Sequence, residues 1–154
     1  MKKRIVPILG ILLVIILITA LICFNKKDGT MICTMQTEEN EIKIKAKYQI
    51  EYKNKVVETI VTKEEITSED EEILKNYKTL LENMYQEYNK IDYYMNKVEI
   101  KNDTLTSITK INYKKIDLEQ LITIDSNNRS IIEDNQVSLK KLKQAYTQQG
   151  ARCR

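Results

Sequence analysis

Residues Glu41–Lys53 read EIKIKAKYQIEYK, and this stretch decides the fold. Ile42, Ile44, Ala46, Tyr48, Ile50 and Tyr52 take every second position, while Glu41, Lys43, Lys45, Lys47, Gln49 and Glu51 take the others. Unbroken period-two alternation marks a β-strand with one face buried and one in water. A sheet wet on one side is characteristically antiparallel. Lys53-Asn54-Lys55 follows as a tight turn, since Asn tolerates positive φ. Val56–Glu64, rich in Val, Ile and Thr, then returns as the second strand of a hairpin.

Beyond the hairpin the period changes. Ser68-Glu69-Asp70-Glu71 is a capping-box pattern, with carboxylates where the helix dipole favours them. A helix is predicted from there to about Ile91, with Ile73, Leu74, Tyr77, Leu80, Leu81, Met84, Tyr85, Tyr88 and Ile91 on one face. This tyrosine-rich stripe reads as core, because a one-sided sheet needs a cover. The alternative is a ligand platform. Tyr93–Lys101 and Thr104–Lys114 form a second hairpin about Asn102-Asp103, with Tyr94, Val98, Ile100, Leu105, Ile111 and Tyr113 inward. Asp117 caps a short helix carrying Leu118, Leu121 and Ile122, and Asp125–Asn135 reads as a polar loop or weak strand. Ser138 caps a last helix through Gln149, with Gly150 as its stop.

The order ββ-α-ββ-α-α predicts an α+β domain: an antiparallel sheet of about four strands, covered by helices on one face. An N-terminal transmembrane helix is expected before it. Ile5–Phe24 contains no charged residue and follows Met1-Lys2-Lys3-Arg4. About 20 apolar residues in a helix match the hydrocarbon thickness of a bilayer, and a basic flank tends to stay in the cytoplasm. Ile22 before Cys23 argues against a lipoprotein signal. The apolar run is also longer than that of a cleaved signal peptide, whose nearest exit site here would end at Ala20. The expected organisation is a cytoplasmic flank at 1–4, a signal-anchor at 5–24, a stalk at 25–32 and an extracytoplasmic domain at 33–154. The lipid bilayer is then the partner of residues 5–24, and the protein is single-pass with its C-terminal domain outside.

With Cys23 in the anchor, Cys33 and Cys153 face outward. Two cysteines in an oxidising compartment suggest a disulfide that ties the domain's ends together. Two free thiols are the alternative, and a catalytic Cys would lack the usual imidazole base.

Absences bound the chemistry. The chain has no His, only three Gly and a single Pro. The commonest general base and zinc ligand are therefore missing, as are Gly-rich phosphate loops. No cofactor, metal site or catalytic residue is expected. Charges nearly balance, 25 Lys+Arg against 22 Asp+Glu, with signs interspersed along the chain, so no nucleic-acid partner is indicated. Glu64, Glu65, Glu69, Asp70, Glu71 and Glu72 could be imagined in acid–base work, but they read as carboxylates gathered at a helix N-terminus.

The run Val137-Ser138-Leu139-Lys140-Lys141 leading to Gln148-Gln149-Gly150, and the fourth strand entering Asp117-Leu118, resemble the YehR-like family of small uncharacterised bacterial lipoproteins. The likeness covers most of Glu41–Gly150. It implies an α+β domain displayed at the membrane surface and brings no functional residues. This chain departs from the family in lacking a lipobox. The resulting functional expectation is a membrane-anchored extracytoplasmic interaction or envelope-associated module, with an unknown protein or envelope partner. The alternative is a small-ligand-binding or sensing domain, with an enzyme less favoured.

Overall fold

The computed structural model describes residues 28–39 and 42–154. Its strands are β1 (Gly29–Glu39), β2 (Ile42–Lys53), β3 (Val56–Thr67), β4 (Tyr94–Lys101), β5 (Thr104–Asn112), β6 (Ile132–Glu133), β7 (Gln136–Val137) and β8 (Arg152–Cys153). Its helices are α1 (Glu71–Tyr85), α2 (Leu118–Ile124) and α3 (Leu139–Gln148). The main sheet is antiparallel and six-stranded, in the order β4-β5-β3-β2-β1-β8, with β6-β7 a separate small ribbon.

Six strands correct the expected four. The additional ones are β1, which begins inside the stretch read as a stalk, and β8 at the C-terminus. In β1 only Met31, Cys33 and Met35 carry the alternation, interleaved with Ile32, Thr34 and Gln36. Its pattern is too weakly contrasted to stand out beside β2. Two residues of β8 hold no period at all. They are fixed by pairing Cys33↔Cys153 and Thr34↔Arg152, and by reciprocal 3.0 Å hydrogen bonds between the backbones of Ile32 and Arg154. The transmembrane part of the expected fold also finds no counterpart. No helix among the described residues is long and apolar enough to cross a membrane, and segment 5–24 lies outside them.

Both long hairpins turn as their residues dictate. Asn54 and Lys55 both take positive φ (51° and 68°), the requirement of a type I′ turn, whereas in the second hairpin Asn102 alone does, at 56°. A bulge at Glu58 places both Val57 and Ile60 on the buried face, so β3 holds its pairing with β2 while changing phase.

The first helix is shorter than predicted. Asp70, rather than Ser68, is its N-cap, with Oδ1 accepting from the Glu72 and Ile73 amides. It ends at Tyr85, and a 3-10 turn over Tyr88–Lys90 resets the phase. Within the helix itself the buried face is narrower than predicted: Leu74 and Leu81 pack on Ile66 and Leu105, whereas Leu80 and Met84 are 60% and 49% exposed. Asp117 caps α2 as its sequence suggests. Ser138 occupies the N-cap of α3 without a side-chain hydrogen bond. Leu142 of α3 joins Met31, Tyr48, Ile50 and Val57, and Leu121 of α2 joins Ile91 and Ile116. All three helices thus cover one face of the sheet and leave the other open.

Candidate functional site

Three features of this frame can carry function: the closure of its two ends, the open face of the sheet, and a polar patch on the covered face.

Cys33 and Cys153 form a disulfide across the β1–β8 register, bridging a separation of 120 residues. Cys33 is fully buried on the covered face. Such a bond belongs to an oxidising, extracytoplasmic environment. Its chemistry is structural: it fastens the C-terminal strand to the first one.

The open face is read directly from the register. One row crosses the sheet as Arg152, Thr34, Lys47, Lys63, Ile108 and Lys97. The flanking rows add Lys45 on one side and Lys110 on the other. Against these cations stand Glu65 and Glu99, which reach Lys63 at 2.7 Å and Lys97 at 3.6 Å. Lys45, Lys47, Lys110 and Arg152 have no carboxylate within ion-pair distance among the described residues. A groove of about 740 Å³ lies here, bordered by Thr34, Lys45, Lys47, Lys63, Glu65 and Arg152. No signal along the chain reveals this stripe, because no strand contributes more than two of its cations and β1 contributes none. It appears only once the strands are aligned.

On the covered face the central rows turn polar. They run Tyr48, Thr62, Thr109, Asn96 and, beside them, Ala46, Glu64, Ser107, Val98. The Asn96 amide donates to Ser107 Oγ at 2.9 Å and to Thr109 Oγ1 at 2.8 Å, which satisfies two buried hydroxyls. Glu64 therefore does not join the carboxylates at the helix N-terminus. It sits in mid-strand and points under the helices. The parity of Ile60, Thr62 and Ile66 carries that signal in the sequence.

Tyrosines from β2, β4 and the helical segments pack against one another on this covered face. Tyr48 stacks on Tyr146 of α3 with ring centroids 4.3 Å apart, and Tyr88 stacks on Tyr94 at 5.1 Å. Tyr85 stands 6.2 Å and 6.4 Å from Tyr88 and Tyr94. Burial, followed by the Glu64 charge, pushes the Tyr48 and Tyr85 hydroxyls up to about 12. Burial also raises Tyr94, Tyr113 and Tyr146. Glu64 itself is held above the usual carboxylate range by burial. The tyrosine stripe packs against the core: Tyr77 and Tyr85 lie against the cluster of Ile66, Leu74, Leu81 and Leu105, and Tyr88 against that of Ile91, Ile116 and Leu121.

No group of His, Cys, Asp and Glu among the described residues could hold a metal ion. Comparison with solved structures finds the same architecture in the NMR structure of the Escherichia coli YehR protein. That match has a TM-score of 0.56 at 18% identity and covers 82% of this chain and 91% of that one. An NMR structure of a protein from Streptococcus pneumoniae matches with a TM-score of 0.55 at 15% identity, covering 84% and 87%. At these identities the likeness concerns the fold, and in the fold the YehR-like resemblance is borne out. No curated protein matches the chain significantly. A family model described as a domain of unknown function (DUF8824) matches residues 24–154, and the chain belongs to that family.

Proposed function

We propose that this domain is an extracytoplasmic interaction module of the cell envelope, tethered to the membrane by segment 5–24, and that its open sheet face binds an anionic envelope polymer. The observation that carries this reading is the row Arg152, Thr34, Lys47, Lys63, Ile108 and Lys97, flanked by Lys45 and Lys110, on the face that no helix among the described residues covers. Lys47 and Lys63 stand directly opposite each other on β2 and β3, where like charges repel, an arrangement that an anionic partner relieves. The groove on this face is lined by Lys45, Lys47 and Lys63 of β2 and β3 and by Arg152 of β8, so that four cations from three strands border one concavity. The disulfide supports display in an oxidising compartment, and the uncharged run 5–24 behind its basic flank supports the tether. The absence of His from the sequence supports binding rather than catalysis as the task.

Titration of the full chain, in nonionic detergent, with inorganic polyphosphate tests the reading. Saturable binding that weakens as salt rises is expected, because exposed charges are screened. The double variant Lys47→Ala/Lys63→Ala should lose affinity by roughly tenfold or more. Unchanged affinity in that variant sinks the proposal. So does binding to vesicles of anionic lipid with none to polyphosphate.

A further inference from the structure

The two edges of the main sheet end differently. On one side β8 and the Cys33–Cys153 bond close β1 at Ile32–Thr34. On the other side β4, eight residues long, pairs with β5 alone among the described strands. A strand edge left open is a template for another strand. In an antiparallel pair the main-chain groups of alternate residues face the partner, and those between face away. On β4 the outward residues are Tyr94, Asn96, Val98 and Ile100. The Tyr94 amide donates to the Ile91 carbonyl at 3.2 Å. Asn89 covers both groups of Asn96: its Oδ1 accepts from the Asn96 amide at 2.6 Å, and its Nδ2 donates to the Asn96 carbonyl at 3.2 Å. Val98 and Ile100 follow, and nothing among the described residues hydrogen-bonds to their outward amides and carbonyls. Asn102, whose φ of 56° turns the chain back into β5, bounds this opening on its far side.

The side chains along the opening determine what fits it. Lys97, Glu99 and Lys101 stand exposed on the open face in alternating sign. On the covered face Val98 and Ile100 are half-buried against the cluster of Ile66, Leu74, Leu81 and Leu105. A second copy of β4 running antiparallel can meet the first in more than one register. Centred on Glu99, it sets Glu99 against Glu99 and Lys97 against Lys101, and like charges directly opposite destabilise a sheet. Centred on Val98, it needs the main-chain groups of Asn96, which Asn89 already holds. Centred on Ile100, the free amide and carbonyl of that residue pair reciprocally, and Glu99 of each copy meets Lys101 of the other. Opposite charges facing across strands stabilise the pairing. The strand is complementary to itself in that register and in neither neighbouring one.

We propose that the outer edge of β4 is a docking site for a second copy of this chain, forming a two-fold dimer centred on Ile100 with Glu99 opposite Lys101 of the other copy. Main-chain hydrogen bonds supply the attachment and the charged side chains the register. The interface is the same patch on both copies, so the assembly closes as a dimer. Asn89 acts as a register stop, because it keeps the Asn96 end of the edge from pairing. The two-fold axis stands perpendicular to the sheet, and the open faces of both copies point the same way. The dimer does not depend on what that face binds.

The test follows the full chain in nonionic detergent by sedimentation velocity and by amide hydrogen exchange. A reversible dimer is expected, and exchange at the Ile100 amide should slow as protein concentration rises. The Asn96 amide should be protected at every concentration, because Asn89 holds it within one copy. Glu99→Lys and Lys101→Glu each set like charges opposite one another and should weaken the dimer by roughly tenfold or more. The double variant Glu99→Lys/Lys101→Glu restores the complementary pairs and should dimerise as the parent does. The proposal is overturned if the chain stays monomeric up to about 1 mM. Association that leaves the Ile100 amide unprotected places the contact elsewhere and overturns it equally. It also fails if either single reversal dimerises as the parent does, or if the double variant does not recover.

Discussion

The two faces of the six-stranded sheet are built from the same strands and follow opposite rules. On the covered face Cys33, Ile50, Val57 and Leu105 are wholly buried, and Glu64 is the one charged side chain among the central rows. On the open face the residues one step along each strand are Lys47, Lys63, Lys97 and Arg152, exposed and aligned. Stability is concentrated on the first face and charge on the second. Substitutions on the covered face should therefore show up as melting temperature, and those on the open face as binding.

The largest effect should come from cutting the disulfide. In the chain-entropy model a loop of 120 residues contributes on the order of 4–5 kcal/mol, comparable with the whole stability of a small domain. Cys153→Ser, or reduction of the parent, should lower Tm by well over ten degrees in a thermal melt followed by circular dichroism. A melt insensitive to reductant would show that β8 does not depend on its bond. Next is Leu105→Ala, which leaves a cavity beneath Leu74 and Leu81 and should cost roughly 2–5 kcal/mol. Its counterpart on the open face, Val61→Ala, should stay within about 0.5 kcal/mol. Equal losses in denaturant titrations would erase the distinction between the faces.

Glu64 yields a smaller effect of opposite sign. Burial raises its folded-state pKa, so the folded domain favours the protonated acid. That stabilisation is complete below the ordinary value of 4.5 and is lost as pH rises through the folded pKa. The titratable groups that feel its charge, Tyr48, Tyr85, Tyr94 and Tyr146, are all raised and stay neutral throughout this range. Glu64→Gln should accordingly raise Tm by a few degrees at pH 7, the scale of roughly 1 kcal/mol, and the gain should fade as pH falls toward 4.5. A gain that persists unchanged at low pH would mean that something other than the desolvated charge is responsible.

Much of the frame was legible from local chemistry. The alternation of Glu41–Lys53, the Asn54 turn and the Asp117 cap each depend on a few neighbouring residues, and the structure forms a strand, a turn and a cap there. What escaped depends on partners distant in sequence. β8 exists because Cys33 and Ile32 hold it, and β1 counts as a strand because β2 pairs along its whole length. The helix was read too long because Tyr88 and Ile91 continue the spacing of α1, although the chain has already turned into a 3-10 step. The functional surfaces were hidden for the same reason. The pleat turns Glu64 alone toward the helices and lines up Lys47, Lys63, Lys97 and Arg152 on the outside, with Glu65 and Glu99 beside them. Only strand register shows that Lys47 and Lys63 are neighbours while Glu64 lies behind them.

The claim that the open face meets an anionic polymer can be tested residue by residue. Amide chemical-shift mapping of the full chain with added polyphosphate distinguishes the two faces directly. Shifts confined to Thr34, Lys45, Lys47, Lys63 and Arg152, and reversed by salt, are predicted. Shifts centred on α1 and α3, or none at concentrations that saturate a basic control protein, would contradict the account.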